Sequence, residues 1–593
     1  MLAAVVAGLP LVMVPELISI FAVPKQAVLL ILAGGLLVVL AAEGVRLPGS
    51  RWFRVSLACL AVAEVVAFAF ADDQREAILG AYNTQMGLVT HISFLVIFVA
   101  AMTLIRSEAE LVGLLKWGCI PAAVVMLYAI SQRAGVDPVD FAASTVDLVP
   151  ATLGNRNEVA AFGMLAIAFI PGWQAWAAAQ KVALRWRPYV PAAAFLIGIA
   201  VCQQILLHSL SRAGVAGGLL GLLVLGGLSL ACGLPRKPFL RLAGATAAVL
   251  VVGFVLAWPS TTKLFGRVGD TGSDSSDQAR TDIWEGALEV IQSSPIVGLG
   301  QQGIVAAFER ERPGDLGAAR FQEVKGSGQE PGVTSPHDVV LESLVVMGIV
   351  GTAALASLVL AGMALIGRHF REKRPLTLAF VAAGLTGYGT VLALNPVSIA
   401  NFSVFAVVAG AAVGLTIPKL SPAPLPAGLR TPSMGLAGAV TFAAVIFAFL
   451  ALAAERNFAQ AQAGGLSADQ VRQAKFAADR LPFVEAYRRL APRIEGAYAV
   501  GTNDPKLLDR VVADQRQFLS DFEPLAHDWL WLATLEIQRR NFPDAEVAIA
   551  EALKAAPKGP ETAAAVEKLR AKIETDKANP PAPRPVATPT PGR

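Results

Sequence analysis

The sequence predicts an all-α chain: a polytopic membrane domain of about 13 transmembrane helices, followed by a soluble helical-repeat-like domain. Three observations carry this. The 593 residues are 55% hydrophobic and 16% charged, with a mean hydropathy of +0.57, which excludes an ordinary soluble globule. Apolar runs of about 20 residues recur, the length a helix needs to cross a bilayer, and in lipid such runs must be helical because their backbone polar groups find no other partners. After Glu455 the charged residues return with helical spacing.

The spans are expected near 3–22, 25–43, 54–71, 88–105, 110–130, 157–179, 189–207, 212–233, 239–258, 338–366, 376–394, 399–417 and 433–454. The start, MLAAVVAGLPLVMV, lacks a basic region and a cleavage site, so it reads as a first span rather than a removed signal peptide. Basic residues crowd four loops: Arg46, Arg51 and Arg54; Lys181, Arg185 and Arg187; Arg236, Lys237 and Arg241; Arg368, Arg371, Lys373 and Arg374. With the spans as placed, these loops share one side, which the positive-inside rule makes cytoplasmic. The N-terminus is then cytoplasmic. The segment 131–156, the turn from His208 to Arg212, the large loop 259–337 and everything after the last span are extracytoplasmic. The chain is expected in the plasma (inner) membrane.

The membrane domain is expected over 1–454. Residues 455–576 form a second, extracytoplasmic domain. Its stretch WLWLATLEIQRRNFPDAEVAIAEALKAAP resembles a tetratricopeptide repeat, with Trp529, Leu532, Ala533, Ala545, Ile549, Ala552 and Pro557 at the expected offsets and Glu536 where Tyr is usual. One such unit does not bury its own face, so helices within 466–525 are its partners. Such a domain docks a protein partner or the acceptor side, or shields the external face. Residues 577–593, Pro-rich from Asn579, are expected to be disordered.

The net charge of +4 gives no sign of a nucleic-acid partner. Cys59, Cys119, Cys202 and Cys232 fall in or at the ends of apolar runs without zinc-like spacing, so neither disulfide nor metal is expected, and no cofactor is called for. The informative residues are polar ones at the external ends of apolar runs. Gly214, Gly218 and Gly221 in SRAGVAGGLLG read as close helix packing, but Arg212 before them stands where the positive-inside rule disfavours a cation. In GNRNEVAAFGML, Asn155 and Asn157 flank a second external cation, Arg156, at a helix start, with Asn157 a candidate cap; helix N-termini and guanidinium groups both favour an anion. The loop stretch SDQARTDIWEGALEVIQSSPIVGLGQQG reads as an amphipathic helix with Ile283, Trp284, Leu288 and Ile291 inward, ended at Pro295. Arg280 stands in its first turn, against the helix dipole. Finally, SPHDVVLESLVVMGIVG places His337, Asp338 and Glu342 at the mouth of a span.

Arginine forks match phosphate oxygens bidentately, and a neutral imidazole takes a proton from an attacking hydroxyl. Together they suit attack by a sugar hydroxyl with departure of a diphosphate. Asp72 and Asp73 in FADDQRE form a competing external pair, solvated charges or a catalytic or metal-binding site.

At four ordered pieces, GNRNEVAAF, HSLSRAGVAGGLLG, RTDIWEGALEVIQSSPIVGLGQQG and SPHDVVLESLVVMGIVG, the chain resembles the O-antigen ligase and polymerase superfamily over roughly residues 70–415. The resemblance implies a metal-independent glycosyltransferase of the C-type membrane class. It would move a glycan from an undecaprenyl-diphosphate-linked donor to a glycan, lipid or protein acceptor in surface polysaccharide synthesis. It carries the family's arginines and histidine onto Arg156, Arg212, Arg280 and His337, with Arg280 and His337 catalytic and Arg156, Arg212, Asn155, Asn157 and Asp338 binding substrate. Asp338 stands where relatives often have Asn; its acidity either raises the basicity of His337 or caps the helix. A chain-extending polymerase and a protein O-oligosaccharyltransferase are alternatives within the superfamily. A flippase or transporter and a non-catalytic scaffold are alternatives outside it.

Overall fold

A computed structural model describes residues 1–137, 139, 149–180, 189–269, 275–301, 303–311, 333, 335–418, 426–463, 466–522 and 524–578. The Lys181, Arg185 and Arg187 loop and the Pro-rich segment from Asn579 lie outside the described residues. The described chain is helical throughout, with no strand. Nine described helices are long and apolar enough to cross a membrane: Ala22–Glu43, Arg51–Ala69, Glu108–Arg133, Arg156–Ala179, Val190–Ser209, Arg212–Ala231, Arg236–Leu256, Val339–Lys373 and Gly428–Gln462. Leu88–Leu104, Leu376–Leu392 and Ile399–Gly414 are apolar but shorter. At 1.5 Å per residue they reach about 25 Å, short of a bilayer core of about 30 Å.

The first expected span, 3–22, departs from expectation. Only Leu2–Leu11 is helical, and residues 12–21 are turns and bends. Ten helical residues rise about 15 Å, half a bilayer. Met1 packs against Gly35, midway along Ala22–Glu43. Pro10 at the other end accepts from the Thr152 hydroxyl at 2.8 Å. The placement of the N-terminus therefore does not follow from a full crossing here.

Two of the described basic loops lie at the same end of the bundle. Arg46 donates to the Thr103 carbonyl at 3.2 Å and to the Pro418 carbonyl at 3.0 Å, which ties the first basic loop to the ends of two other helices. Thr377, beside the loop of Arg371 to Arg374, bonds Glu108 at that same end.

The helix Val339–Lys373 is broken inside. Gly348 has φ +59°, ψ −166°, which ends one helical segment and starts the next. The loop after Pro295 fills the break: Leu299 N–H donates to Val345 O at 2.8 Å, Gly300 N–H to Val346 O at 3.1 Å, and Ile349 N–H donates back to Pro295 O at 2.9 Å. Irregular backbone at membrane depth survives only when its polar groups are satisfied within the protein, and these bonds do that. Gly298, with φ +76°, faces Val346 so closely that a Cβ would strike its carbonyl. One short stretch after the large loop's helix is thus stitched to the helix that follows His337.

The loop helix Ser275–Ser293 buries Ile283, Ala287 and Val290 and exposes Leu288 by 51%. The inward stripe is therefore i, i+4, i+7 from Ile283, and the expected inward Leu288 faces out. Because the helix begins at Ser275, Arg280 stands in its second turn, and the dipole argument loses most of its force there.

The last long helix, Ala427–Gln462, runs without interruption past residue 454. Five helices follow: Ala468–Arg480, Glu485–Thr502, Pro505–Asp521, Ala526–Gln538 and Phe542–Ala555, before a sixth, Pro560–Ala578. Leu532, Ala533, Ala545, Ile549 and Ala552 are buried where these helices meet. Glu536 is also fully buried, which its partners explain: Arg516 reaches it at 2.6 Å and Arg539 at 3.0 Å.

Candidate functional site

His337 sits on a strained turn. Its φ is +57°, a left-handed conformation that costs a non-glycine residue roughly 1–2 kcal/mol. Neighbours hold it there. The Ser335 hydroxyl accepts from His337 N–H at 3.1 Å, and the Trp284 indole donates to Pro336 O at 2.9 Å. Asp338 caps the helix that follows, its Oδ1 accepting from Val340 N–H at 2.8 Å and Leu341 N–H at 2.9 Å. Asp338 thus takes the capping role of the two open to it. Burial, and then the nearby Arg280 guanidinium, lower the His337 imidazole from its ordinary value to about 4. The imidazole is neutral at physiological pH, and Arg280 is its charged neighbour.

Arg156 and Arg212 each open a helix at the same end of the bundle. Asn155, not Asn157, is the cap of the first: its Oδ1 accepts from Asn157 N–H at 2.8 Å. Ser211 caps the second by accepting from Gly214 N–H at 3.4 Å. The two helices touch one turn in, where a Cβ added to Gly214 would lie 2.9 Å from that of Ala160. Gly217 and Gly221 pack against the backbone of Gly387 and Ala383, so the glycines of this helix are contact glycines. Arg133, outside the motif reading, donates to His208 O at 2.8 Å and so braces the turn from which Arg212 emerges.

The structure brings Arg280 within electrostatic reach of His337, and brings the helices that begin with Arg156 and Arg212 together. Tyr388, fully buried, lies within electrostatic reach of both Glu158 and Glu342. Glu158 follows Arg156 by two residues, and Glu342 follows His337 by five. The connection from Asn395 to Asn401 passes the same place: Asn401 donates to Glu158 O at 2.9 Å, and Val397 N–H donates to the Glu342 carboxylate.

Of these two acids the sequence singles out Glu342 at the mouth of its span, while Glu158, Lys25, Glu64 and His91 stand outside the residues its motifs pick out. Lys25 lies 97% buried near Glu158, its ammonium on Thr152 O at 2.8 Å. Glu64 accepts from Gln301 at 3.0 Å and meets His91 Nδ1 at 2.9 Å, and His91 in turn faces Glu342. The signal that finds them is simple: an ionisable residue inside an apolar run marks a site by default. Asp73 caps Gln74–Leu79 by accepting from Arg75 N–H at 2.8 Å and Glu76 N–H at 3.1 Å, while Asp72 is exposed. Among the described residues no group of three His, Cys, Asp or Glu side chains is placed to hold a metal.

The C-terminal helices lean on the site face. Arg75 pairs with Asp521 at 3.0 Å, and Lys558 with Glu289 on the Arg280 helix at 3.7 Å. Leu525 enters the apolar cluster of Ile283, Ala287, Phe308 and Val345. Glu455 accepts from Ser19 N–H at 2.6 Å and Tyr487 at 2.7 Å, and also binds Tyr82. A depression of about 340 Å³ lies in this seam, with Asp73, Glu76, Gln301 and Glu485 among its lining; none of the four predicted site residues lines it.

A search of the curated proteins finds no match to the chain. Residues 192–356 match the O-antigen ligase family; this segment carries Arg212, Arg280 and His337 and leaves Arg156 outside. This match, on a chain with nine described helices long and apolar enough to cross a membrane, supports a membrane glycan-transfer role in surface polysaccharide synthesis.

Proposed function

We propose that the protein transfers a glycan from an undecaprenyl-diphosphate-linked donor to an acceptor hydroxyl at the external face of the plasma membrane. The observation that carries this is His337, neutral and next to Arg280 on a braced turn. The acceptor oxygen attacks the anomeric carbon, and the bond from that carbon to the diphosphate oxygen breaks. The hydroxyl proton passes to the His337 imidazole, and undecaprenyl diphosphate leaves with its electron pair. Arg280, with Arg156 and Arg212, holds the diphosphate where negative charge develops. A depressed imidazole suits the role because a bound diphosphate would offset the lowering by Arg280. An anion beside the ring favours its protonated form, so basicity rises when donor is present. The reaction needs no metal if the arginines neutralise the leaving group. Residues 455–576, tetratricopeptide-like in pattern, are read as an extracytoplasmic domain on this same face.

The test is transfer in vesicles containing the purified protein, a polyprenyl-diphosphate-linked oligosaccharide and a candidate acceptor. Free polyprenyl diphosphate and glycosylated acceptor should appear together and persist in chelator. Movement of intact donor across the bilayer without bond cleavage would support a flippase and remove this reading. Comparing a core lipid, a growing glycan and a protein as acceptors separates ligase, polymerase and protein glycosylation.

A further inference from the structure

Several hydrogen bonds converge on the turn that presents His337, and one of them leads away from the site. The Ser335 hydroxyl accepts the backbone N–H of His337 and donates to Glu342 Oε2 at 3.3 Å. Glu342 lies one turn inside the helix capped by Asp338. Its carboxylate also accepts from Val397 N–H, in the connection between Leu376–Leu392 and Ile399–Gly414, and faces His91. His91 is in turn held by Glu64 at 2.9 Å, and Glu64 by Gln301 at 3.0 Å. Gln301 belongs to the loop stitched to the Gly348 break. This is a chain of polar side chains running from the turn to the loop at the Gly348 break.

A carboxylate placed there is expensive. Its desolvation is offset only by hydrogen bonds, and Glu342 has them from Ser335 and from Val397 N–H. A leucine at this helix position would pack with no such cost. The carboxyl group is placed where it holds Ser335, and Ser335 holds the left-handed backbone of His337. From this we infer that Glu342 is a positioning residue for His337. Acting through Ser335, it holds the imidazole turn in register with the connection at Val397, beside Ser398 and Asn401. The inference rests on the reading of His337 as the acceptor's base. Glu342 touches no reacting atom in it. Its action is to stop the strained turn relaxing to an ordinary conformation, which would swing the imidazole off the acceptor oxygen.

The experiment is steady-state transfer by full-length variants in vesicles, with polyprenyl-diphosphate-linked oligosaccharide as donor. A displacement of about 1 Å at a reacting group costs about a hundredfold in rate. Glu342→Leu and Ser335→Ala should each lower kcat by about that factor, with the donor KM little changed because the arginines remain. Combining them should lower kcat no further, since they act through one path. Glu342→Gln keeps an oxygen for the Ser335 hydroxyl and should recover most of the rate. Multiplying losses in the double variant would overturn the inference, as would wild-type kcat in Ser335→Ala. If Glu342→Leu does not reach the membrane, Ser335→Ala and Glu342→Gln decide alone. His337→Ala is run beside them. If it is dead while Ser335→Ala and Glu342→Leu are active, only the positioning role falls; if it is active, the reading of the site falls first.

Discussion

Replacing Arg280 by Gln should move the acid limb of the activity profile upward. Two causes bring the His337 imidazole from 6.5 to about 4, burial first and the Arg280 guanidinium second. The smaller of two contributions to a fall of about 2.5 pH units is under about 1.2, which at 1.36 kcal/mol per unit is under ~1.7 kcal/mol. The sign is fixed by the chemistry. The base is needed neutral, and a lowered pKa keeps it neutral down to about pH 5. Removing the cation lets the imidazole protonate sooner, so activity falls away at a higher pH. Glutamine also lowers the plateau, because Arg280 contacts the diphosphate in the proposed reaction, so the limb and not the height is the readout. Arg280→Lys keeps the charge and should leave the limb where it is. The assay is transfer in vesicles from pH 4 to 8 with donor well below saturation, where the limb reports the donor-free protein. An unmoved limb in Arg280→Gln, with the limb still absent in His337→Gln, would refute the claimed interaction between the two groups.

Three further outcomes follow from the fold. Asp528 is fully buried between Arg489 at 3.1 Å and Arg493 at 3.0 Å; burial alone would raise its carboxyl, but these cations and His527 hold it well below the usual range. Asp528→Asn should cost about 3–5 kcal/mol of stability in the C-terminal helices, read by denaturant unfolding. The contribution is complete above the ordinary carboxylate value and is lost only as pH falls through the lowered one, so it persists across neutral and mildly acidic pH. Gly348→Ala places a Cβ against the Ile296 carbonyl at a positive φ, and should lower the melting temperature by an amount matching more than about 1 kcal/mol. Leu525→Ala removes a buried contact to the Arg280 helix at a cost of about 2–5 kcal/mol, and hydrogen exchange should rise in Ser275–Ser293 before it rises in the membrane helices.

Much of the fold is written in periodicity. Long apolar runs give the helices, and Ser, Asn and Asp at their starts give the caps, as at Ser211, Asn155 and Asp338. Hydropathy alone does not reveal helix breaks. The run from residue 339 onward reads as one span, and only the pairing of Gly298 with Gly348, far apart in sequence, shows why it divides. Likewise the first apolar run is long enough to cross, yet Pro10 and the polar contacts of Ser19 stop it halfway. Site residues at helix ends were legible because cations there run against the charge bias of membrane loops. Lys25, Glu64 and His91 were not, because each is a single ionisable group inside an apolar run and its partners come from other helices; Glu342 was visible at the mouth of its span, but its links to Val397 and His91 were not. The outward Leu288 shows the limit of a one-helix pattern: the choice of face was made by Phe308, Val345 and Leu525, which pack against Ile283 and Ala287.

The most direct measurement is glycan transfer by His337→Ala against the unaltered protein, at matched amounts in the membrane, with the lipid-linked donor present in both. The account predicts loss of glycosylated acceptor and of released polyprenyl diphosphate, with donor binding retained. Transfer at the unaltered rate would contradict it.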